Sequence, residues 1–579
     1  MIPDIHNLVI ISLNSMANTN LKREESKTSH PHDEWMQKIL AVSEANKKAH
    51  PESHDEQEKH DAVKDKQTTR HSKWVPFVCL LFFLLAFIPR IYFIYGVSNP
   101  DNPGAGWFGD AYHHWQIAYL TKEIGLNQGF LRLWDLKGME FFWGLLHPIL
   151  IMTAFAITGD ISVGMERAVT ALFGSFSVVL IFLLLRKHWN TQTAIAGALF
   201  AALNPVGVFN DGTGMVEPLG IPFLLLGVYL WPSVSWLAGI SLGIAVMARG
   251  EYWLMAFGLV FAMLLFTKVS SGRKLGLSVG FFGTTLIYMK YLLSWTSNPI
   301  YPFYQNFLAN YVGTWQFKEV LEPQDIQAKY IFLTIFIITV LWSLFLIWKR
   351  PRGMFVYLLG LGNWMFLGAV FGLGAYIKSY MTYVWYVRFM ILPYIFVGIV
   401  LAVALFYYLP KIRYAKILAK LQFNWLIFLG ILLVSQYLWV FIWNKYETTE
   451  KTWQNSAKYA HGIAEHYKGG GLLLFEGNPE ITYALVRFDH IEGKNITGEM
   501  FDPYFYISGD PYRNWNKNRK VVLAWIKKNN IRTIATYAQY VRYKQLVQHE
   551  PQFFYEDGIV PNTNFVIYQV KDELYQTNF

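Results

Sequence analysis

Apolar residues run in long blocks from Trp74 onward, separated by short polar turns. The blocks lie at about 75–95, 142–158, 163–185, 191–208, 215–231, 233–248, 251–266, 275–294, 330–348, 354–372, 389–409 and 423–443. Blocks of this kind predict membrane helices, since about 20 apolar residues cross the hydrocarbon layer of a bilayer. The turns set the orientation. RKHWN (186–190), TKVSSGRK (267–274), WKRPR (348–352) and PKIRYAKILAK (410–420) are basic, as cytoplasmic loops are. With these loops and the N-terminus inside, parity allows two net crossings between Trp74 and Arg186, where three blocks lie. One block should therefore be re-entrant, and 142–158, which carries His147 and Pro148, is the candidate. The pattern predicts about 11 crossings, a cytoplasmic N-terminus and an external C-terminus, in a plasma or inner membrane rather than the endoplasmic reticulum.

The two ends of the chain read differently. Residues 1–73 are polar and poor in aromatics, a composition that cannot bury enough apolar surface to offset the entropy of ordering, so a disordered cytoplasmic tail is expected. Seven of the fifteen His lie in this tail without ligand spacing, which argues for a solvated segment rather than a metal site. After about residue 445 the composition becomes that of an ordinary water-soluble domain. GLLLFEG (471–477) reads as a buried strand, VVLAWIKKNN (521–530) as an amphipathic helix, IRTIATYA (531–538) as the strand that follows it, and FFYEDGIV with NFVIYQV as a closing hairpin. The expected fold is an all-α polytopic membrane domain over 74–445, followed by a small external α/β domain over 446–579. No catalytic motif appears in that last domain, and its NIT sequon at Asn495 is too short a pattern to carry weight.

Composition agrees with the pattern. Charged residues make up 16% of the 579 residues against roughly 25% in soluble proteins, so much of the surface faces lipid. The net charge of +10 lies wholly outside the tail, because residues 1–73 hold 11 Lys or Arg against 12 Asp or Glu. The excess sits in short inter-helix loops, and no basic patch interleaved with aromatics points to nucleic acid. The single cysteine, Cys79, lies inside an apolar block, which excludes an internal disulfide and any cysteine-based zinc site.

Ionisable residues beside lipid are costly, so they are the first candidates for chemistry. Asp110 in WFGDAYHHWQIAYL opens the first external loop, with His113 and His114 beside it as candidate substrate contacts. Adjacent residues on a helix do not share a face, so the two histidines alone do not define a metal site. Asp135 and Glu140, later in the loop, read as ordinary surface acids. Asp211 and Glu217 lie in FNDGTGMVEPLGIPFLLLG, where Gly212 and Gly214 permit a tight turn and Glu217 heads a helix, with helix capping as the alternative role. Arg249 in MARGEYW has Glu251 beside it, and a local ion pair accounts for it equally well. Lys378 and Arg388 flank the aromatic run YIKSYMTYVWYVRFMILPY, where a cation at headgroup level can hold a phosphate, with interfacial snorkelling as the alternative. Such a face suits a lipid-linked sugar phosphate: the phosphate is the leaving group at the anomeric carbon, Asp110 is a base for the attacking hydroxyl, and Arg388 or Lys378 is a cation for the departing phosphate. Asp110, Asp211 and Glu217 are the candidate ligands should the reaction use a divalent cation, Mg²⁺ or Mn²⁺.

These motifs, in their order and common sidedness, resemble the GT-C superfamily of integral-membrane glycosyltransferases, which use polyprenyl-phosphate-linked sugars. The resemblance spans about residues 75–445 and rests on FGDAYHHW, GMVEPLGIPFLLLG, GIAVMARGEYW and RFMILPY. It implies that Asp110 is the catalytic carboxylate, Glu217 a partner for acceptor or metal, and Arg388 a contact to the lipid phosphate. The acceptor would be a lipid, a glycan or a protein. DAYHHWQIAY through GFLRLWD, with NDGTGMVE, is also similar in spacing to the oligosaccharyltransferase catalytic subunit. The WWD-type signature of that subunit is absent, the nearest run being NWN (514–516), which favours the bacterial-type branch that transfers a single sugar. A lipid or polysaccharide transporter is the rival reading; it predicts charges near the bilayer midplane and two related halves, neither of which the sequence displays.

Overall fold

The computed structural model describes residues 72–104, 110–124, 139–305, 323–374, 391–412, 422–475, 479–499 and 502–578. Each predicted apolar block coincides with helix. In chain order these are α1 (Val75–Tyr92), α2 (Asp110–Ile124), α3 (Leu146–Thr158), α4 (Val163–His188), α5 (Thr191–Leu203), α6 (Pro205–Asp211), α7 (Glu217–Leu230), α8 (Ser235–Val246), α9 (Gly250–Phe266), α10 (Ser271–Thr296), α11 (Pro323–Lys349), α12 (Met354–Leu367), α13 (Ile391–Val403), α14 (Phe423–Ser435) and α15 (Leu438–Glu465). On α1 the exposed Leu80, Leu81, Leu84 and Ile88 form one stripe, and the buried Phe82, Ala86 and Arg90 form another at intervals of four. That is the arrangement of a helix with one face to lipid and one to protein.

Six helical stretches among the described residues are long and apolar enough to cross a membrane, or seven if the bent pair α5–α6 is one span, so the chain is a multi-pass membrane protein. The hydropathy pattern predicts about 11 crossings, and four of its blocks make up the difference. α7, α8 and α9 have 12 to 17 residues, and at 1.5 Å per residue they fall short of the roughly 30 Å hydrocarbon layer, while α10 has 26 residues but no stretch apolar enough to count as a span. α3, the block expected to be re-entrant, is also short, at 13 residues.

Local chemistry marks the breaks. Ser162 caps α4 by accepting from the Met165 N–H at 3.1 Å. Asn204 ends α5 and caps α6, accepting from Val206 and Gly207, with Pro205 in the first turn, so the chain bends by 57° there. α8 and α10 pack backbone to backbone: a Cβ on Gly239 would overlap the Leu277 carbonyl oxygen, and one on Gly280 the Trp236 carbonyl oxygen.

The C-terminal domain is built on a mixed five-stranded sheet of order β2-β1-β3-β5-β4, from β1 (Gly471–Leu474), β2 (Ile496–Gly498), β3 (Ile531–Tyr537), β4 (Phe554–Ile559) and β5 (Phe565–Val570). β1 pairs parallel with β2 and β3, while β5 pairs antiparallel with β3 and β4. Helix α16 (Pro479–Arg487) follows β1, α17 (Trp515–Lys528) precedes β3, and α18 (Val541–His549) follows it. The buried strand, the amphipathic helix, the strand after it and the closing hairpin all stand where the sequence pattern puts them. β2, α16 and α18 are additional.

This domain and α2 share one core. Tyr112, Trp115, Ile117, Ala118 and Leu120 of α2 are buried with Trp453 and Ile463 of α15, Leu472 and Leu474 of β1, and Ile481, Tyr483 and Ala484 of α16. α15 runs without a break through Tyr446 into this cluster, so one helix links the sheet domain to the preceding membrane segment.

Candidate active site

The site grows from four helix starts, each headed by a carboxylate in its first turn: Asp110 on α2, Glu166 on α4, Glu217 on α7 and Glu251 on α9. Negative charge at a helix N-terminus is favoured by about 0.3–1 kcal/mol through the helix dipole. Apart from the half-buried Asp110, these carboxylates are buried.

Glu217 Oε1 accepts from Arg249 Nη1 at 2.7 Å, and Arg249 Nε also faces the Glu251 carboxylate. Tyr252 donates to the Glu217 carbonyl at 3.0 Å, tying the start of α9 to the start of α7. The turns 209–218 and 248–252, read from sequence as lying on one side of the membrane, thus meet directly. The start of α3 joins them, since the Leu146 N–H donates to the Met247 carbonyl at 3.0 Å. Just upstream, Gly144 takes φ +105°, and a side chain there would collide with that same carbonyl.

α2 reaches the site through its second turn. His114 Nδ1 lies 3.3 Å from the Gly214 carbonyl, in the turn that leads into Glu217. The His114 ring stands edge-on to Trp143 at 4.5 Å and 5.0 Å from the His147 ring, while His147 Nε2 is 2.9 Å from Glu166 Oε1. His113 Nδ1 lies 3.0 Å from Gln116 Oε1. The adjacent histidines thus face different polar groups, as their positions on a helix require, while both rings pack against Trp143, that of His113 stacked at 6.2 Å.

Asp211, at the end of α6, accepts from Arg90 Nε at 2.7 Å, and the two side chains are 4% and 1% exposed. Arg90 also donates to the Ala86 and Ala202 carbonyls, and Thr170 Oγ1 donates to the Asp211 carbonyl at 2.7 Å. Asp211 therefore joins α1, α4 and α6. Lys378 and Arg388 lie outside the described residues, as does Asp135. Glu140 is in the short helical turn Met139–Phe142.

Hydropathy passes over several residues that hold this arrangement. Arg167 is fully buried and donates to the carbonyls of Gly212 (2.6 Å), Asn99 (2.6 Å) and Pro100 (3.1 Å), and to Ser98 Oγ (2.9 Å). It staples the strand of chain after α1 to the turn before Glu217. The signal was the acid–base pair Glu166–Arg167 inside a block that averages as apolar.

The layer above is supplied by the sheet domain. Tyr483 donates to the Asp101 carboxylate, Tyr112 donates to the Asp101 carbonyl at 2.6 Å, and Asn102 donates to Glu450 at 2.7 Å. Burial lifts the Tyr112 and Tyr483 hydroxyls well above the usual phenol range, so both remain protonated donors. For a metal, the described residues offer one group of converging ligand atoms, those of His114, His147 and Glu166, all within 4.8 Å of one another. Asp211 and Glu217 are each engaged by an arginine instead.

No protein-family model matches the chain, and no curated protein matches it in sequence. Solved structures similar to it include the oligosaccharyltransferase of Archaeoglobus fulgidus in the apo form, at 11% identity over 85% of this chain and 74% of that one, with a TM-score of 0.42. ArnT from Cupriavidus metallidurans in the apo state is 13% identical over 80% of this chain and 94% of its own, with a TM-score of 0.45. The same ArnT bound to undecaprenyl phosphate is 12% identical over 87% and 98%, with a TM-score of 0.44.

Proposed function

We propose that the chain is a membrane glycosyltransferase that moves a sugar from a polyprenyl-phosphate-linked donor to a lipid, glycan or protein acceptor on the external face. The observation that carries this reading is the convergence of the turn at Gly214, the start of α3 and the start of α4 on the second turn of the helix that Asp110 heads, with the Glu217–Arg249–Glu251 group tied to the start of α3 through Leu146 and Met247. Charges gathered at helix ends suit a reaction at the membrane boundary, where a lipid tail stays in hydrocarbon and its headgroup enters a polar site.

In the proposed reaction the acceptor hydroxyl attacks the anomeric carbon from the face opposite the phosphate. Asp110 takes the hydroxyl proton as the new C–O bond forms. The bond from the anomeric carbon to the phosphate oxygen breaks, its electron pair leaves on the lipid phosphate, and the anomeric configuration inverts. Arg388 or Lys378 neutralises the charge gathering on that phosphate. Glu217 orients the acceptor, its own position fixed by Arg249. The domain over 446–579 acts as an external lobe that holds α2.

Mass spectrometry of lipids and glycans from cells lacking the protein tests this. The expected result is an accumulated lipid-linked sugar and an acceptor one sugar short, both restored by the wild-type gene. Unchanged donor and acceptor pools would contradict it.

A further inference from the structure

We infer that His114, His147 and Glu166 form a binding site for a zinc-type divalent cation. The inference does not depend on the glycosyltransferase reading. The three side chains come from α2, α3 and α4 and are 1%, 2% and 0% exposed. Their ligand atoms lie within 4.8 Å of one another.

Three details favour a cation over a plain hydrogen-bonded cluster. His147 Nε2 and Glu166 Oε1 approach to 2.9 Å without the alignment of a hydrogen bond, and both Glu166 oxygens are buried with no hydrogen-bond partner among the described residues. A carboxylate in that state is costly unless a positive charge meets it. His114 Nδ1 faces the Gly214 carbonyl, and donating to it holds the imidazole in the tautomer whose Nε2 lone pair is available to a metal. The third detail is the donor set itself. Two imidazoles and one carboxylate suit Zn²⁺, whereas Mg²⁺ and Mn²⁺ favour oxygen.

Tetrahedral zinc with bonds near 2.1 Å sets its ligands roughly 3.4 Å apart, so side-chain rotations of about an ångström close the cluster. The bound ion pins the second turn of α2 to α3 and α4. Its role is to position Asp110, one helical turn earlier on α2.

The test is elemental analysis of the full-length protein purified in detergent, with Co²⁺ exchange as a second readout. We expect about one zinc per chain and, after exchange, visible bands of tetrahedral type. His114→Ala, His147→Ala and Glu166→Gln should each lower bound metal by roughly tenfold or more, while Asp110→Asn retains it. Should a histidine variant fail to fold, chelator-stripped wild-type protein should take the metal back at a 1:1 ratio, about one ion per chain. Protein that neither carries zinc nor takes up Zn²⁺ or Co²⁺ on titration would overturn the inference, as would full metal content in folded His147→Ala and Glu166→Gln. Loss of transfer activity without loss of metal in Asp110→Asn would separate the two readings.

Discussion

At the scale of single residues, two buried charge groups carry different roles. Arg90 and Asp211 join three helices and are nearly inaccessible, so removing one partner leaves an uncompensated charge in a medium of low polarity. Arg90→Met is expected to destabilise the protein by about 3–5 kcal/mol, read as a lower midpoint of thermal unfolding in detergent. The double variant Arg90→Met with Asp211→Leu should recover most of that loss, because an apolar pair has no desolvation penalty. A double variant no better than the single would show that Asp211 matters for something other than the pair. Asp502, in the sheet domain, gives a pH test. Burial raises its pKa to about 7, even though it accepts from Tyr543 and the Tyr504 N–H. The folded state then holds a proton that the unfolded chain releases near pH 4. The stability that this one carboxyl contributes is therefore fully present below about pH 4 and is lost as pH rises through about 7. Hydrogen-exchange protection of β3 and α18 in the whole protein, corrected for intrinsic rates, should fall over that range, and Asp502→Asn should remove the slope.

At the scale of elements, much of the fold was legible because hydropathy blocks and strand patterns are local. Every apolar block became helix, and GLLL, IRTIATY and FVIYQV became strands. What was not legible depends on distant partners. Nothing near Glu166 in the chain announces that Arg167 reaches Gly212 and Asn99, or that His147 faces Glu166 from another helix. The break at Asn204–Pro205 does carry a local signal, since an Asn before Pro both ends one helix and caps the next. Close helix pairing also hides in the sequence as ordinary glycine. Gly280→Leu on α10 is expected to push α8 away and cost at least about 1–3 kcal/mol. Gly258→Leu on α9, where a Cβ meets nothing within 4 Å among the described residues, should stay within about 0.5 kcal/mol of wild type. Equal losses in the two variants would contradict the backbone contact.

At the scale of the whole molecule, the sheet domain and the membrane helices meet on α2, the helix that Asp110 heads. Trp453 stacks on Tyr112 at 5.8 Å, and Tyr483 packs edge-on to Trp115 at 4.7 Å. Trp453→Ala should weaken this core by about 3–5 kcal/mol and lower transfer by loosening α2. Deleting 446–579 should abolish transfer for the same reason, by releasing α2. The most direct measurement of the central claim is turnover of a polyprenyl-phosphate-linked sugar in proteoliposomes, comparing wild type with a folded, inserted Asp110→Asn protein. Loss of a general base predicts a fall in kcat of about 10²–10⁴-fold with donor binding retained. Full turnover by Asp110→Asn, or movement of the labelled lipid across the bilayer without any chemical change, would contradict it.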